Sequence, residues 1–158
     1  MTLKKDTYQA RAETLARTID IAETIIEESE TIAEDIKSYH FQWCQKIKQL
    51  ALNPEPQFKR VASLKYLEHD FLVYWNDTFG IDTEKFWLAL RQNGINFQRN
   101  DLIVAVLRNG RIKNMQEYDY VIDNIVAAEQ LGRINDKQVV ELNKILSDFE
   151  KKNKGKEL

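Results

Sequence analysis

Two side chains have the spacing of metal ligands. His40 and Cys44 lie four residues apart, so both would project from the same face of a helix. An imidazole and a thiolate at this spacing are able to bind one zinc ion. A tetrahedral site needs further ligands, but Cys44 is the only cysteine and His69 the only other histidine. We therefore expect no metal site, and we expect His40 to pack in the apolar face of its helix.

The sequence Glu68-His69-Asp70 holds two carboxylates and an imidazole, which are the residue types of general acid–base catalysis. Consecutive residues of a helix point in different directions, so these three are poorly placed to act on one atom. The chain has no glycine-rich phosphate loop, no Gly-x-Ser-x-Gly sequence and no Glu-x-x-His pair. We therefore predict that the protein is not an enzyme and has no catalytic residues and no cofactor.

Residues 20–35 contain seven carboxylates and no basic side chain. Four of the carboxylates follow one another at spacings of four, three and four residues, which would align them on one face of a continuous helix. We call these four the acidic stripe: Glu23, Glu27, Glu30 and Glu34. A row of carboxylates accelerates encounter with a basic surface, so the stripe is the first candidate for a partner-binding site. A solvated face without a partner is the alternative.

Residues 91–113 form a basic segment, with five basic residues and one carboxylate. Four of the five make an alternative binding patch, suited to phosphates: Arg99, Arg108, Arg111 and Lys113. The helix expected after this segment begins with Glu117 and Asp119, and phosphates would repel these carboxylates from a DNA groove. Nucleic-acid binding is therefore only a secondary alternative.

The tripeptide Gly-Arg-Ile occurs twice, at residues 110–112 and 132–134. In both copies glycine follows a helical pattern, where a positive φ ends a helix at low cost. An asparagine comes next, with Glu or Gln three residues later, which is the spacing of a capping box. The two pairs are Asn114 with Glu117 and Asn135 with Gln138. The repeat thus predicts helix boundaries, and it leaves Arg111 and Arg133 without a role.

These candidate residues lie on a chain that is helical by pattern. Residues 8–52 lack glycine and proline, and their apolar side chains recur at alternating spacings of four and three. This is the seven-residue repeat of a helix packed on other helices. We favour one helix here, about 65 Å long at ~1.5 Å per residue, and we predict residues 1–53 as a coiled-coil-like helix. A break near Ser29 is the alternative.

The two prolines of residues 53–57 end that helix. Further helices are predicted over 57–76, from Asp82 or Thr83 to Gly94, over 115–130 and over 136–151. The apolar run 102–107 is compatible with a strand or a helix, and we favour a helix capped by Asn100 and ended by Gly110. The fold class is therefore all-α, with four to five shorter helices in a bundle over 54–151. Residues 152–158 are predicted as a frayed tail, and the whole as one folding unit.

The bulk composition fits one folded domain. The 158 residues are 43% hydrophobic and 30% charged, with 5 Gly and 2 Pro, which excludes a disordered chain. The formal net charge of -2 favours neither nucleic acid nor an anionic membrane. The single cysteine, the polar N-terminal residues and the short apolar runs predict a cytoplasmic protein without membrane contact.

These patterns favour a non-catalytic protein–protein interaction module whose partner has a basic surface. A small helical protein with an acidic face would suit a bacterial inhibitor of the immunity-protein or antitoxin type, which is an analogy and not a motif. The first alternative is a structural coiled-coil homodimer or scaffold. The second alternative is nucleic-acid binding through residues 91–113.

Overall fold

The computed structural model describes residues 7–154, and in this range it is all-α, without a strand. This confirms the predicted fold class. The seven helices are α1 (Thr7–Glu28), α2 (Glu34–Leu52), α3 (Val61–Asp77), α4 (Ile81–Gln92), α5 (Leu102–Asn109), α6 (Met115–Gln130) and α7 (Asp136–Asn153). None of them is long and apolar enough to cross a membrane.

The favoured prediction of one continuous helix over residues 8–52 was wrong, and the alternative of a break near Ser29 is confirmed. The buried Ser29 hydroxyl accepts hydrogen bonds from the backbone N–H groups of Thr31 and Ile32, both at 3.2 Å. The same hydroxyl donates to the Asp82 carboxylate at 2.6 Å. These bonds hold the chain in a turn, because Ser29 satisfies backbone groups that a continuing helix would have bonded itself.

The helices α1 and α2 therefore form an antiparallel hairpin. Near the turn, Gln45 Nε2 donates to Glu23 Oε1 at 2.7 Å. At the far end, the Tyr8 hydroxyl donates to the Ala51 carbonyl at 2.7 Å. The α1 part of the apolar seam that suggested a coiled coil is buried within this hairpin and against neighbouring helices, so the chain itself supplies its partner. Ile36 and Leu50, which continue the seam on α2, are exposed.

The chain divides into two compact units. Unit 1 contains the described residues up to Trp75 together with Asp82–Gln98, and unit 2 contains Asn76–Ile81 and the described residues from Arg99 onward. The predicted division into a helix over 1–53 and a bundle over 54–151, within one folding unit, stays a prediction.

The core of unit 1 is built around aromatic side chains. Trp75 and Phe86 stack with ring centroids 4.2 Å apart, and Trp87 Nε1 donates to the Trp75 carbonyl at 3.0 Å. Leu15 and Ile19 of α1 are completely buried in the same cluster. Burial of such large apolar side chains stabilises unit 1 and holds the α1–α2 hairpin in place.

Unit 2 is built from α5, α6 and α7, whose ends carry the expected signals. The apolar run 102–107 is helical, as favoured, and α5 ends at Gly110 with φ of 74°. The predicted N-cap Asn100 was wrong, because the Asp101 carboxylate accepts from the N–H of Ile103 at 2.9 Å. A carboxylate at this position also suits the helix dipole.

The two predicted capping boxes differ. Asn135 and Gln138 exchange both hydrogen bonds, at 2.9 and 2.8 Å. Asn114 caps α6 by accepting from Glu117 N–H, but the Glu117 side chain accepts from Lys113 N–H at 2.8 Å instead of closing the box. Asn114 and Glu117 therefore both stabilise the backbone at the start of α6.

Some predicted helix ends need correction. The helix predicted to begin at residue 57 begins at Val61, because Pro56–Phe58 forms a short 3-10 turn. The helix predicted from Asp82 or Thr83 begins at Ile81. The last helix, predicted to end at residue 151, continues to Asn153, and the frayed tail predicted over 152–158 stays a prediction. Residues 155–158 of that prediction, and residues 1–6 of the predicted first helix, lie outside the described residues.

Candidate functional site

The α1–α2 hairpin encloses a groove of about 340 Å³ that brings together three of the four acidic-stripe residues. We call it the acidic groove, and the side chains that line it are Glu23, Ile26, Glu27, Glu34, Lys37, Ser38, Phe41 and Cys44. Glu30 lies in the exposed turn after α1 and does not line the groove. The stripe is therefore not one row on one helix, since α1 carries two of the groove carboxylates and the first turn of α2 carries the third.

The acidic groove contains one cation, Lys37. Its Nζ donates to the backbone carbonyl of Glu27 at 2.9 Å and lies 3.5 Å from Glu34 Oε1. The first bond satisfies a carbonyl at the end of α1, where a cation also suits the helix dipole. Among the described residues, the carboxylates of Glu23 and Glu27 have no ion-pair partner. The groove therefore keeps an excess of negative charge.

The floor of the acidic groove is apolar. Ile26 and Cys44 are 4% and 2% exposed, whereas the Phe41 ring beside them is 55% exposed. Burial, and to a smaller extent the nearby Glu23 carboxylate, raise the pKa of the Cys44 thiol to about 12. The thiol therefore stays protonated at neutral pH, which suits a packing residue better than a nucleophile or a metal ligand.

His40 faces away from the acidic groove, towards α3. Its ring lies 4.6 Å from that of Tyr74 in an edge-to-face contact, and burial lowers the pKa of His40. The imidazole and Cys44 both line a second cavity of about 220 Å³, which is otherwise apolar and aromatic. Within residues 7–154 no group of three or more His, Cys, Asp or Glu side chains is arranged to hold a metal.

The consecutive residues Glu68, His69 and Asp70 differ in burial. The buried Glu68 carboxylate binds Arg11, with Nη2 at 2.5 Å and Nε at 3.3 Å. His69 and Asp70 are exposed on α3. Glu68 thus has a structural partner from α1, as is expected of a buried carboxylate.

The four basic residues of the alternative patch occupy different surroundings in unit 2. The guanidinium of Arg99 lies over the Phe79 ring, 5.3 Å from its centroid, and Arg108 is exposed in the last turn of α5. Arg111 and Lys113 line a cavity of about 300 Å³. We call it the basic cavity, and its defining side chains are Arg111, Lys113, Ile145, Asp148, Phe149 and Lys152. Only two members of the predicted patch therefore share this cavity.

The two arginines of the Gly-Arg-Ile repeat have different surroundings. Arg133 Nη2 lies 2.8 Å from Asp101 Oδ2, and its guanidinium lies over Phe79 at 5.9 Å. Arg111 is exposed and lines the basic cavity. Arg133 thus has a structural role within unit 2, whereas Arg111 points into space that a ligand can occupy.

Sequence reasoning missed Phe41 and Lys152. Phe41 lies off the apolar seam of residues 8–52, so the repeat does not draw attention to it. Lys152 fell in the predicted frayed tail, although Ile145, Phe149 and Lys152 have the spacing of one helix face. That spacing was the signal available in the sequence.

Comparison with protein-family models, with curated proteins and with solved structures found no match to this chain.

Proposed function

We propose that this protein is a non-catalytic interaction module that binds a basic, amphipathic segment of a partner protein in the acidic groove. The observation that supports this is the combination of an apolar floor with a rim of carboxylates in excess over cations. A segment with an apolar anchor and flanking Lys or Arg side chains is complementary to that combination.

The apolar and acidic parts would contribute differently to binding. An apolar or aromatic anchor packed against Phe41 and Ile26 loses its contact with water, which is how central interface residues slow dissociation. The rim carboxylates of Glu27 and Glu34 are exposed, so they mainly accelerate association and make it depend on salt. Glu34 is 92% exposed and lies 3.5 Å from Lys37, an i,i+3 contact of small strength, so an incoming arginine can pair with Glu34 instead.

A finer proposal concerns the type of partner. An acidic groove on a small helical protein would suit an inhibitor that covers a basic surface, as immunity proteins and antitoxins do in the bacterial cytoplasm. This step is an analogy with a class of protein. It predicts that the bound partner is basic and that binding blocks the partner's own activity.

The test compares charge-neutralised variants that differ only in location. One carries Glu23→Gln, Glu27→Gln and Glu34→Gln in the acidic groove. The control carries Glu13→Gln, Glu55→Gln and Asp70→Asn, which are exposed carboxylates of unit 1 outside the groove. Proteins captured by the wild type from the source cells are identified, purified and titrated against all three forms over a series of salt concentrations.

We expect the groove variant to bind at least tenfold more weakly, with a shallower dependence on salt, while the control variant binds as the wild type does. Phe41→Ala should weaken binding without changing the salt dependence, because it removes an apolar contact only. Equal affinity and equal salt dependence of the groove variant and the wild type would contradict the proposal.

A further inference from the structure

The basic cavity arises from the way the chain leaves α5. Gly110, with φ of 74°, ends that helix, and a short irregular link follows it. Ile112 of the link is buried in the core of unit 2, whereas its neighbours Arg111 and Lys113 are exposed. Ile112 is anchored in the core between two exposed residues, so both cations lie on the outer side of the link.

The last turns of α7 form the opposite wall. Ile145, Phe149 and Lys152 share one face of this helix and all line the basic cavity. The Phe149 ring is stacked on Tyr118 with centroids 5.1 Å apart and an interplanar angle of 26°. Tyr118 is itself held by its hydroxyl, which donates to Glu150 at 2.5 Å. The aromatic wall is therefore fixed in position by a second ring.

The charges of the basic cavity are unbalanced. Three cations line it, and Asp148 is the one carboxylate among its lining residues. Within residues 7–154, none of Arg111, Lys113 and Lys152 forms an ion pair. Other arginines do form ion pairs: Arg11 binds a carboxylate in unit 1, and Arg133 binds one in unit 2. Like charges gathered around a concave surface repel one another and attract an anion.

We propose that the basic cavity binds a nucleoside phosphate. The phosphate would lie between Arg111, Lys113 and Lys152, which supply charge-assisted hydrogen bonds. The base would pack against Phe149, because an aromatic face accepts any base. Asp148 would accept a hydrogen bond from a ribose hydroxyl, which gives the single carboxylate a partner in the bound state.

The size of the basic cavity limits the kind of molecule that can supply the nucleoside phosphate. A volume of about 300 Å³ is suited to one nucleotide and lies at the lower end of small-molecule sites. The exposed Asp119 carboxylate near the start of α6 disfavours entry of this region into a DNA groove. The group therefore comes either from a free nucleotide or from the terminal phosphate of a single strand. This inference is independent of the acidic groove, which belongs to unit 1.

The experiment is isothermal titration of the full chain with adenosine 5′-monophosphate, adenosine, inorganic phosphate and a 5′-phosphorylated adenosine pentanucleotide. We expect the monophosphate to bind at least tenfold more tightly than adenosine or inorganic phosphate alone. Tighter binding of the pentanucleotide than of the monophosphate identifies a strand end as the source. Weaker binding of the pentanucleotide identifies a free nucleotide.

Variants locate the binding in the cavity. Arg111→Gln and Lys152→Gln should each weaken binding of the monophosphate at least fivefold, because each removes a cation beside the phosphate. Lys137→Gln is the matched control, since Lys137 is exposed on the same helix but does not line the cavity. Phe149→Leu keeps an apolar side chain in the core, so the protein should still fold. This variant should bind the monophosphate more weakly than the wild type does, but bind inorganic phosphate equally well.

Three results would overturn the inference. The first is that the wild type does not bind the monophosphate at millimolar concentration, although its circular dichroism shows a folded helical protein. The second is that Lys137→Gln weakens binding of the monophosphate as much as Arg111→Gln does, which would show that binding depends on the overall charge of the protein and not on the cavity. The third is equal binding of inorganic phosphate and the monophosphate with no effect of Phe149→Leu.

Discussion

Two arginines in identical tripeptides illustrate how much one residue depends on its surroundings. Arg133 is paired with Asp101, whose carboxylate is only 7% exposed and also caps α5. Arg111 occupies the equivalent position after Gly110 but faces the basic cavity. The arginine of the Gly-Arg-Ile tripeptide thus forms a structural ion pair in one copy and a candidate ligand contact in the other.

We expect Arg133→Gln to lower the free energy of unfolding by about 1–3 kcal/mol, because it leaves a largely buried carboxylate without its cation. Arg111→Gln should change that free energy by less than about 0.5 kcal/mol, as is usual for an exposed side chain. Urea denaturation followed by circular dichroism measures both. A larger loss for Arg111→Gln than for Arg133→Gln would refute these assignments.

At the scale of elements, the turn between α1 and α2 decides what the acidic residues can do. In a continuous helix Glu23 and Glu34 would be about 16 Å apart along the axis at ~1.5 Å per residue. In the hairpin both line the same groove, with the apolar floor between them. A turn around Ser29 thus converts a row of charges into a concave surface.

We expect Ser29→Ala to lower the free energy of unfolding by about 1–3 kcal/mol. The change removes acceptor and donor together, so the N–H groups of Thr31 and Ile32 and the Asp82 carboxylate each lose a partner. Ser38→Ala, at an exposed position of α2, is the control and should have little effect. Thermal or urea unfolding measures both, and equal stability of Ser29→Ala and the wild type would show that the hairpin does not depend on this turn.

At the scale of the whole molecule, a net charge close to zero conceals two local fields of opposite sign. The formal charge is -2, yet one cavity of unit 1 is acidic and one cavity of unit 2 is basic. Average charge therefore says little about the partners of this protein, because recognition depends on the local potential.

The assembly state belongs to this scale as well. The seam of α1 that suggested a coiled-coil homodimer is buried inside unit 1, where Leu15, Ile19 and Ala22 are each 0% exposed. We therefore expect a monomer at tens of micromolar, because no coiled-coil seam of α1 remains to drive dimerisation. Sedimentation equilibrium measures this directly. A stable dimer that Glu28→Lys or Thr24→Lys on the outer side of α1 disrupts would show the opposite.

The helical class and most helix ends of this protein follow from local sequence patterns. Gly110, Asn114 and Asn135 were identifiable because a positive φ and a side-chain cap involve residues only a few positions apart. The same local rules made Pro56 a boundary and α5 a helix. Features that depend on neighbours in sequence are readable without the fold.

Which charged residues come together depends on long-range packing and not on local patterns. The turn at Ser29 depends on a bond to Asp82, 53 residues away, and no local pattern indicates that contact. The same holds for Lys152, which reaches the cavity of Arg111 and Lys113 through the packing of α7 in unit 2. Periodicity specifies the face of a helix on which a residue lies, but which other chain segment covers that face depends on the packing of the whole core.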